Sequence, residues 1–281
     1  FLGRPDDTPS GDAFERRLYV CRRTIEKKAD AEFALRDKIF YVCSMSSRTI
    51  VYKGMLVATQ MRRFFIDLND AAVKTAVALV HSRYSTNTTP SWERAHPNRF
   101  IIHNGEINTL KGNVNWIRAR EPNLYSPVLQ HDLERVMPII NREGSDSAIL
   151  DNVLEFLVMN SRPLTRAASM LLPEPWDHNE TLPARRRAYD EYQSMLMEPW
   201  DGPAAIAFTD GRTLGAALDR NGLRPSRYYI TKDGRMILSS EVGVLECAPE
   251  NILVKDRLRP GKMLLVDTVK GEVVDDEKLK E

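Results

Sequence analysis

The chain has 281 residues, 42% of them hydrophobic and 28% charged, a composition typical of globular proteins rather than disordered, fibrous or membrane chains. Its 40 Lys and Arg balance 39 Asp and Glu, so no general positive field favours nucleic acid or an anionic membrane. No apolar run approaches the roughly 20 residues of a membrane span, and the three cysteines are too scattered to form a pattern of metal ligands. We therefore expect no nucleic-acid, membrane or metal partner.

The amino-terminal half is predicted to mix helices with short strands. Apolar residues at helical spacing predict a surface helix over 11–33 and a core helix over 145–160, with Ser145 or Asp146 placed to cap the latter. A third segment begins as a helix near residue 72. Four short strands are predicted, over 39–45, 49–52, 78–84 and 99–103. The first two of these flank a polar connection, which indicates a hairpin.

The carboxyl-terminal half is predicted to be antiparallel sheet with a helix over 181–198. Three pairs of apolar runs each flank a short turn that contains Asp-Gly or Lys-Gly, which is typical of hairpins. These pairs are 204–209 with 213–218, 227–231 with 235–240, and 263–267 with 272–274. Helices combined with antiparallel strands predict the α+β class.

The strand over 99–103 leads into Asn104-Gly105, which has two interpretations. Asn-Gly at a strand end is a strong signal for a hairpin turn. A carboxamide beside a glycine amide also supplies two donors for one oxygen, as in the oxyanion hole of an acyl-transfer enzyme. Taken by themselves, the two residues favour the turn, and the oxyanion interpretation needs further residues to support it.

Two charged residues are candidates for binding a free amino acid. Arg83 stands late in an apolar strand, where its guanidinium fork suits a carboxylate, although an ion pair with a protein acid is equally consistent. Asp146 stands at the start of the helix over 145–160, where an acid either caps the helix or binds an ammonium group. With Asn104 and Gly105, these residues supply the groups that a bound amino acid with a carboxamide side chain requires.

Six runs of sequence strongly resemble the glutamine amidotransferase domain of the glutamate synthases. The likeness covers nearly the whole chain and is more specific than the HNG triplet shared by class II amidotransferases. The six runs are SSRTIVYKG (46–54), HSRYSTNT (81–88), HNGEINT (103–109), GNVNW (112–116), GSDS (144–147) and LDRNGLRP (218–225).

This resemblance implies a four-layer αββα sandwich of antiparallel sheets flanked by helices. It also implies that Arg83 binds the glutamine α-carboxylate and Asp146 its α-ammonium, while the Asn104 side chain and the Gly105 amide form the oxyanion hole. The nucleophile of the family is an amino-terminal cysteine whose own α-amine serves as the base. Residue 1 here is Phe, so we expect residues 1–281 to be the later two thirds of the domain, incomplete at its amino-terminal end and inactive alone.

For the parent protein, the resemblance implies that ammonia from glutamine converts 2-oxoglutarate reductively to glutamate. The parent would use FMN, a 3Fe-4S cluster and either NAD(P)H or ferredoxin, with none of these cofactors bound by the present chain. Expected partners are L-glutamine, the remaining domains of the subunit, and a small reductase subunit or ferredoxin, in the bacterial cytoplasm or the plastid stroma. Two alternatives are the glutaminase domain of another class II amidotransferase and a non-catalytic amidotransferase-like binding module.

Overall fold

The computed structural model describes residues 2–33, 40–82, 89–177 and 182–280. The helices in these residues are α1 (Asp12–Phe33), α2 (Ala58–Phe64), α3 (Leu110–Arg120), α4 (Leu133–Val136), α5 (Asp146–Met159), α6 (Leu164–Leu171), α7 (Ala184–Leu196) and α8 (Asp276–Lys280). The strands are β1 (Ile101–Gly105), β2 (Ala204–Thr209), β3 (Thr213–Leu218), β4 (Arg227–Thr231), β5 (Met236–Ser239), β6 (Ile252–Arg257), β7 (Met263–Asp267) and β8 (Glu272–Val274). The helices predicted over 11–33, 145–160 and 181–198 are confirmed as α1, α5 and α7.

The described strands form a five-stranded sheet in the order β1-β2-β3-β7-β8 and a three-stranded sheet in the order β5-β4-β6. The pairs β3–β7, β7–β8, β4–β5 and β4–β6 are antiparallel. The three predicted hairpins are confirmed as β2–β3, β4–β5 and β7–β8. Helices combined with antiparallel sheets confirm the α+β class and are consistent with the predicted sandwich.

Helix α5 has an apolar face that explains its formation. Ile149, Leu150, Val153 and Leu154 are each at most 3% exposed, and burying a side chain of this size stabilises a fold by about 2 kcal/mol. The Ser145 hydroxyl caps the helix by accepting the Ala148 N–H at 3.2 Å. Of the two capping residues considered, Ser145 is therefore the one that makes the cap.

The predicted hairpin over 39–52 is wrong for the described residues, 40–52, which contain no strand. Side chains take the backbone donors that a strand ladder needs. The Ser47 N–H donates to Glu15 of α1 at 2.8 Å, and the Val51 N–H donates to the Ser44 hydroxyl at 3.0 Å. Short polar side chains compete with strand pairing in this way.

The predicted strand over 78–84 is also wrong as far as residue 82, because residues 78–82 form no strand, and the helical start near residue 72 is absent. Val80 is 77% exposed, so this apolar run gains no burial that would favour pairing. Residues 83–88 lie outside the described residues.

Contacts divide the chain into two compact units. The first comprises Phe1–Ile102, Val114–Ala167 and Thr209–Arg212, and its core includes α1 and α5. The second comprises His103–Asn113, Ala168–Phe208 and Thr213–Glu281, and its core includes β2, β3 and β7.

Candidate functional site

Asn104 and Gly105 are the last two residues of strand β1. Ile101, at the other end of the strand, is fully buried, whereas Asn104 and Gly105 are half-buried. The strand therefore runs from the core to a partly accessible end that carries both donors of the predicted oxyanion hole. The predicted strand over 99–103 is confirmed, with its start and end shifted by two residues.

Gly105 lies directly against the backbone of Pro203. Its φ angle is +147°, which L side chains rarely adopt, and an added Cβ would lie 1.8 Å from the Pro203 carbonyl oxygen. The next residue, Glu106, donates its N–H to the same oxygen at 3.1 Å. Only glycine fits this close approach.

A second glycine, Gly202, makes a similarly close backbone approach, here to the segment that follows Gly105. A Cβ on Gly202 would lie 2.0 Å from the Glu106 carbonyl oxygen, and the Asn108 N–H donates to the Asp201 carbonyl at 2.8 Å. The segments 105–108 and 201–203 are thus joined backbone to backbone. This contact fixes the direction of the chain as it leaves Asn104-Gly105.

Asp146 is the first residue of α5 and is half-buried. Its carboxylate accepts the Ser147 N–H at 2.7 Å, and the partial positive charge of the helix amino terminus stabilises a negative side chain there. Asp146 belongs to the first compact unit, and Asn104 and Gly105 belong to the second.

Arg83, predicted to bind the α-carboxylate of the substrate, lies outside the described residues. Its role stays a prediction.

A buried ionic network in the first unit was not predicted from the sequence. Arg22 of α1 is 2% exposed and contacts Glu26 at 2.9 Å and Glu155 of α5 at 2.5 Å. Arg99, just before β1, contacts Glu26 at 2.9 Å. Although burial opposes it, the charges of Arg22 and Arg99 lower the pKa of Glu26. The network joins α1, α5 and the start of β1, and removing one member would leave a buried charge uncompensated.

Asp151 of α5 is a second buried charged residue that the sequence patterns did not predict to have a role. Its side chain is buried and accepts the backbone N–H groups of Arg99, Phe100 and Ile101 at 3.1, 2.8 and 3.0 Å. Burial, together with the nearby Glu155 carboxylate, raises the pKa of Asp151 to about 6. Asp151 stands among the apolar residues of a predicted core helix. This position could have indicated its role, because a buried acid needs hydrogen-bond partners.

Lys53 is a buried cation without a carboxylate contact within 4.0 Å in the described part of the chain. Its ammonium donates to the Glu93 carbonyl at 2.8 Å and to the Tyr41 hydroxyl at 3.3 Å, and it lies 4.4 Å from the Tyr41 ring centre. Burial lowers the pKa of Lys53 to about 8.

Burial also raises the pKa of the Cys43 thiol, which disfavours the thiolate that a nucleophile requires.

The described residues contain no group of three or more His, Cys, Asp or Glu side chains that could hold a metal ion. Over the same residues, no helix is long and apolar enough to cross a membrane.

The sequence is similar to one segment of several much longer proteins. It is 55% identical over 280 residues to the large chain of NADPH glutamate synthase from Bacillus subtilis, covering 100% of this chain and 18% of the relative. It is 49% identical over 270 residues to NADH glutamate synthase from Schizosaccharomyces pombe, covering 96% and 13%. It is 44% identical over 275 residues to the chloroplastic ferredoxin-dependent glutamate synthase of Oryza sativa, covering 96% and 17%. The chain thus spans only 13–18% of the length of these relatives.

A family model for class II glutamine amidotransferases matches the sequence over residues 1–281. This match covers the HNG run at the end of β1 and the GSDS run at the start of α5, the two described places where the sequence predicted site residues. The chain belongs to the class II glutamine amidotransferases.

Proposed function

We propose that residues 1–281 are part of one glutaminase domain, which hydrolyses the side-chain carboxamide of L-glutamine to glutamate and ammonia. Membership of the family supports this function. The observation that carries the proposal is the rigid end of β1, where a carboxamide and a glycine amide adjoin and only glycine fits at position 105.

The chemistry requires donors at the place where negative charge develops. A thiolate attacks the carboxamide carbon, and the carbonyl electron pair moves onto oxygen. The Asn104 carboxamide N–H and the Gly105 N–H would stabilise this oxyanion. The base that took the proton of the thiol returns it to the amide nitrogen, the oxyanion reforms the carbonyl as the C–N bond breaks, and ammonia leaves. Water then cleaves the thioester to give glutamate and the free thiol.

We assign the attacking thiol to the longer parent polypeptide rather than to these 281 residues. Cys21, Cys43 and Cys247 are internal, so none has a free α-amine to act as its base. Cys43 is further disfavoured because burial raises its pKa. We therefore expect the chain by itself to release no ammonia from glutamine.

Two charges would hold the backbone of the substrate amino acid. Arg83 would bind the α-carboxylate through its two-pronged guanidinium, and Asp146 would bind the α-ammonium. The half-buried carboxylate of Asp146 at the start of α5 supports the second assignment. Opposite charges at the two ends of the clamp would select a free amino acid over a peptide.

In the parent, we propose that the released ammonia converts 2-oxoglutarate reductively to glutamate. The names of the relatives include NADPH, NADH and ferredoxin, which we take as the candidate electron sources, and one relative is named as chloroplastic. Bacterial cytoplasm or plastid stroma is the corresponding location. We place the 3Fe-4S centre and FMN in other domains of the parent. A small reductase subunit or ferredoxin would be the electron-donating partner.

The test is Asn104→Ala in the parent protein. Because the oxyanion donor acts mainly in the tetrahedral intermediate, kcat for glutamine hydrolysis should fall about a hundredfold while KM changes much less. Asn123→Ala, at an exposed asparagine in a 3₁₀ turn, is the matched control and should leave both unchanged.

An effect on KM alone would make Asn104 a ground-state contact or a turn residue. A parent that binds glutamine and releases no ammonia would instead identify the chain as part of a non-catalytic binding module. Ammonia release coupled to a different acceptor would indicate another class II amidotransferase.

A further inference from the structure

Asp151 holds the backbone at the start of β1. Its side chain is 1% exposed, and its two oxygens accept three consecutive backbone N–H groups, Arg99 on one oxygen and Phe100 and Ile101 on the other. On the other side of the chain, the Phe100 carbonyl accepts the N–H of Thr209, the last residue of β2, at 2.9 Å. The start of the strand is therefore bonded to β2 on one side and to Asp151 on the other.

The Asp151 carboxylate takes the place of a neighbouring strand as the acceptor for these backbone N–H groups. In the described residues, β1 is an edge strand of the five-stranded sheet. A buried edge strand leaves backbone donors without partners, and each such donor costs free energy. The Asp151 carboxylate satisfies these donors at the point where the chain enters the strand, and as an anion it makes stronger hydrogen bonds than a neutral acceptor.

The strand that Asp151 holds is also the strand that ends in Asn104-Gly105. Three residues at about 3.3 Å each separate Ile101 from Asn104, so roughly 10 Å of extended chain connects the two places. Beyond Gly105, the chain is fixed again by the Glu106 hydrogen bond to Pro203. A shift at the start of β1 would thus be passed along a short, stiff segment to the two donors.

We infer that Asp151 is a positioning residue for glutamine hydrolysis, acting through strand β1 on the Asn104 and Gly105 donors. This inference rests on the proposed oxyanion role of Asn104 and Gly105. Asp151 itself touches neither substrate nor reacting atoms. Its contribution is to hold the donors where charge develops in the transition state, where a misplacement of about 1 Å is enough to slow the reaction strongly.

The experiment compares Asp151→Asn, Asn104→Ala and the double variant in the parent protein. The asparagine keeps the size of the side chain but turns an N–H group toward backbone donors, which displaces the start of β1. We expect Asp151→Asn to lower kcat by about tenfold or more with little change in KM. Because both residues act through one element, the double variant should lose less than the product of the two single losses.

Amide hydrogen exchange and a matched control distinguish this role from general stability. Exchange at Arg99–Ile101 should accelerate in Asp151→Asn. The control, Asp190→Asn, alters another buried aspartate that accepts a backbone N–H, that of Glu174 at 3.3 Å. It should lower the midpoint of thermal unfolding without changing kcat. If Asp151→Asn does not fold, Asp151→Glu provides the same comparison, because it keeps the charge and moves it by one methylene.

A kcat for the folded Asp151 variant within about twofold of wild type, or losses that multiply in the double variant, would overturn the inference. Both results count only where Asn104→Ala alone lowers kcat. If Asn104→Ala leaves kcat unchanged, the proposed oxyanion role itself is wrong, and Asp151 then has no donors to position.

Discussion

Replacing Gly105 by alanine is the most direct test of the architecture at the end of β1. The added Cβ would lie 1.8 Å from the Pro203 carbonyl oxygen, 2.8 Å from the carbonyl carbon and 2.9 Å from the Ala204 Cα. All three atoms are backbone, so no side chain can rotate away to make room. The chain must either move β1 away from Pro203 or give up the backbone angle of +147°.

The cost in stability follows from these contacts. Relieving the overlap requires a separation of roughly 1.5 Å, which overpacks its surroundings at about 1–3 kcal/mol. It also breaks the Glu106–Pro203 hydrogen bond, worth about 1 kcal/mol, and the strained φ adds about 1–3 kcal/mol if it is kept. We expect Gly105→Ala to lower the free energy of unfolding by about 4 kcal/mol, which is a large part of the stability of a typical domain.

Urea denaturation of the 281-residue chain measures this loss, with Gly112→Ala as the control. Gly112 lies in α3, and a Cβ there would meet nothing within 4 Å, so alanine should stabilise the helix by about 0.5–1 kcal/mol. In the parent, Gly105→Ala should also lower kcat for glutamine about a hundredfold, because one donor is displaced by about 1 Å or more. A Gly105→Ala chain as stable as wild type, with unchanged kcat in the parent, would refute the close approach as the reason for glycine.

Three further predictions concern single charges. Arg83→Lys in the parent should raise the KM for glutamine about tenfold or more while ammonia-dependent synthesis survives, because a point charge replaces a fork built for a carboxylate; unchanged glutamine kinetics would make Arg83 a structural residue. Asp146→Asn should weaken turnover of glutamine but not of glutaramate, the same amide without the α-ammonium, and equal losses for both substrates would contradict the clamp. Lys53 has a folded pKa of about 8 against 10.5 when unperturbed, so folding is disfavoured by the buried charge below pH 8 and gains stability as pH rises from 8 to 10.5. Relative to Lys53→Met, the free energy of unfolding of wild type should therefore increase by up to about 3 kcal/mol over this range, and a constant difference would show that Lys53 is not desolvated.

The sequence was sufficient wherever a short stretch determines its own structure. The core helix α5 was predictable because its apolar face repeats at helical spacing and Ser145 supplies a cap, both within one segment. The hairpins were predictable because a short turn that contains Gly between two apolar runs joins neighbouring strands. The candidate residues Asn104, Gly105 and Asp146 were found through the resemblance of local runs to a known family.

Local patterns failed where distant residues competed for the same backbone groups. Residues 40–52 have strand-like runs, yet Glu15 of α1 takes the Ser47 N–H and no strand forms. Strand β6 was missed because it pairs with β4 across the intervening β5, and no turn signal in the sequence reveals that partner.

The reason that position 105 requires glycine was likewise decided by tertiary structure alone. The Asn-Gly pair read by itself favoured a turn, but Gly105 ends a strand pressed against Pro203, nearly a hundred residues away in the chain. Asp151 likewise gains its three backbone partners from residues about 50 positions earlier. Sequence spacing records which residues are neighbours along the chain, whereas backbone contacts of this kind exist only after folding has brought distant segments within hydrogen-bond distance.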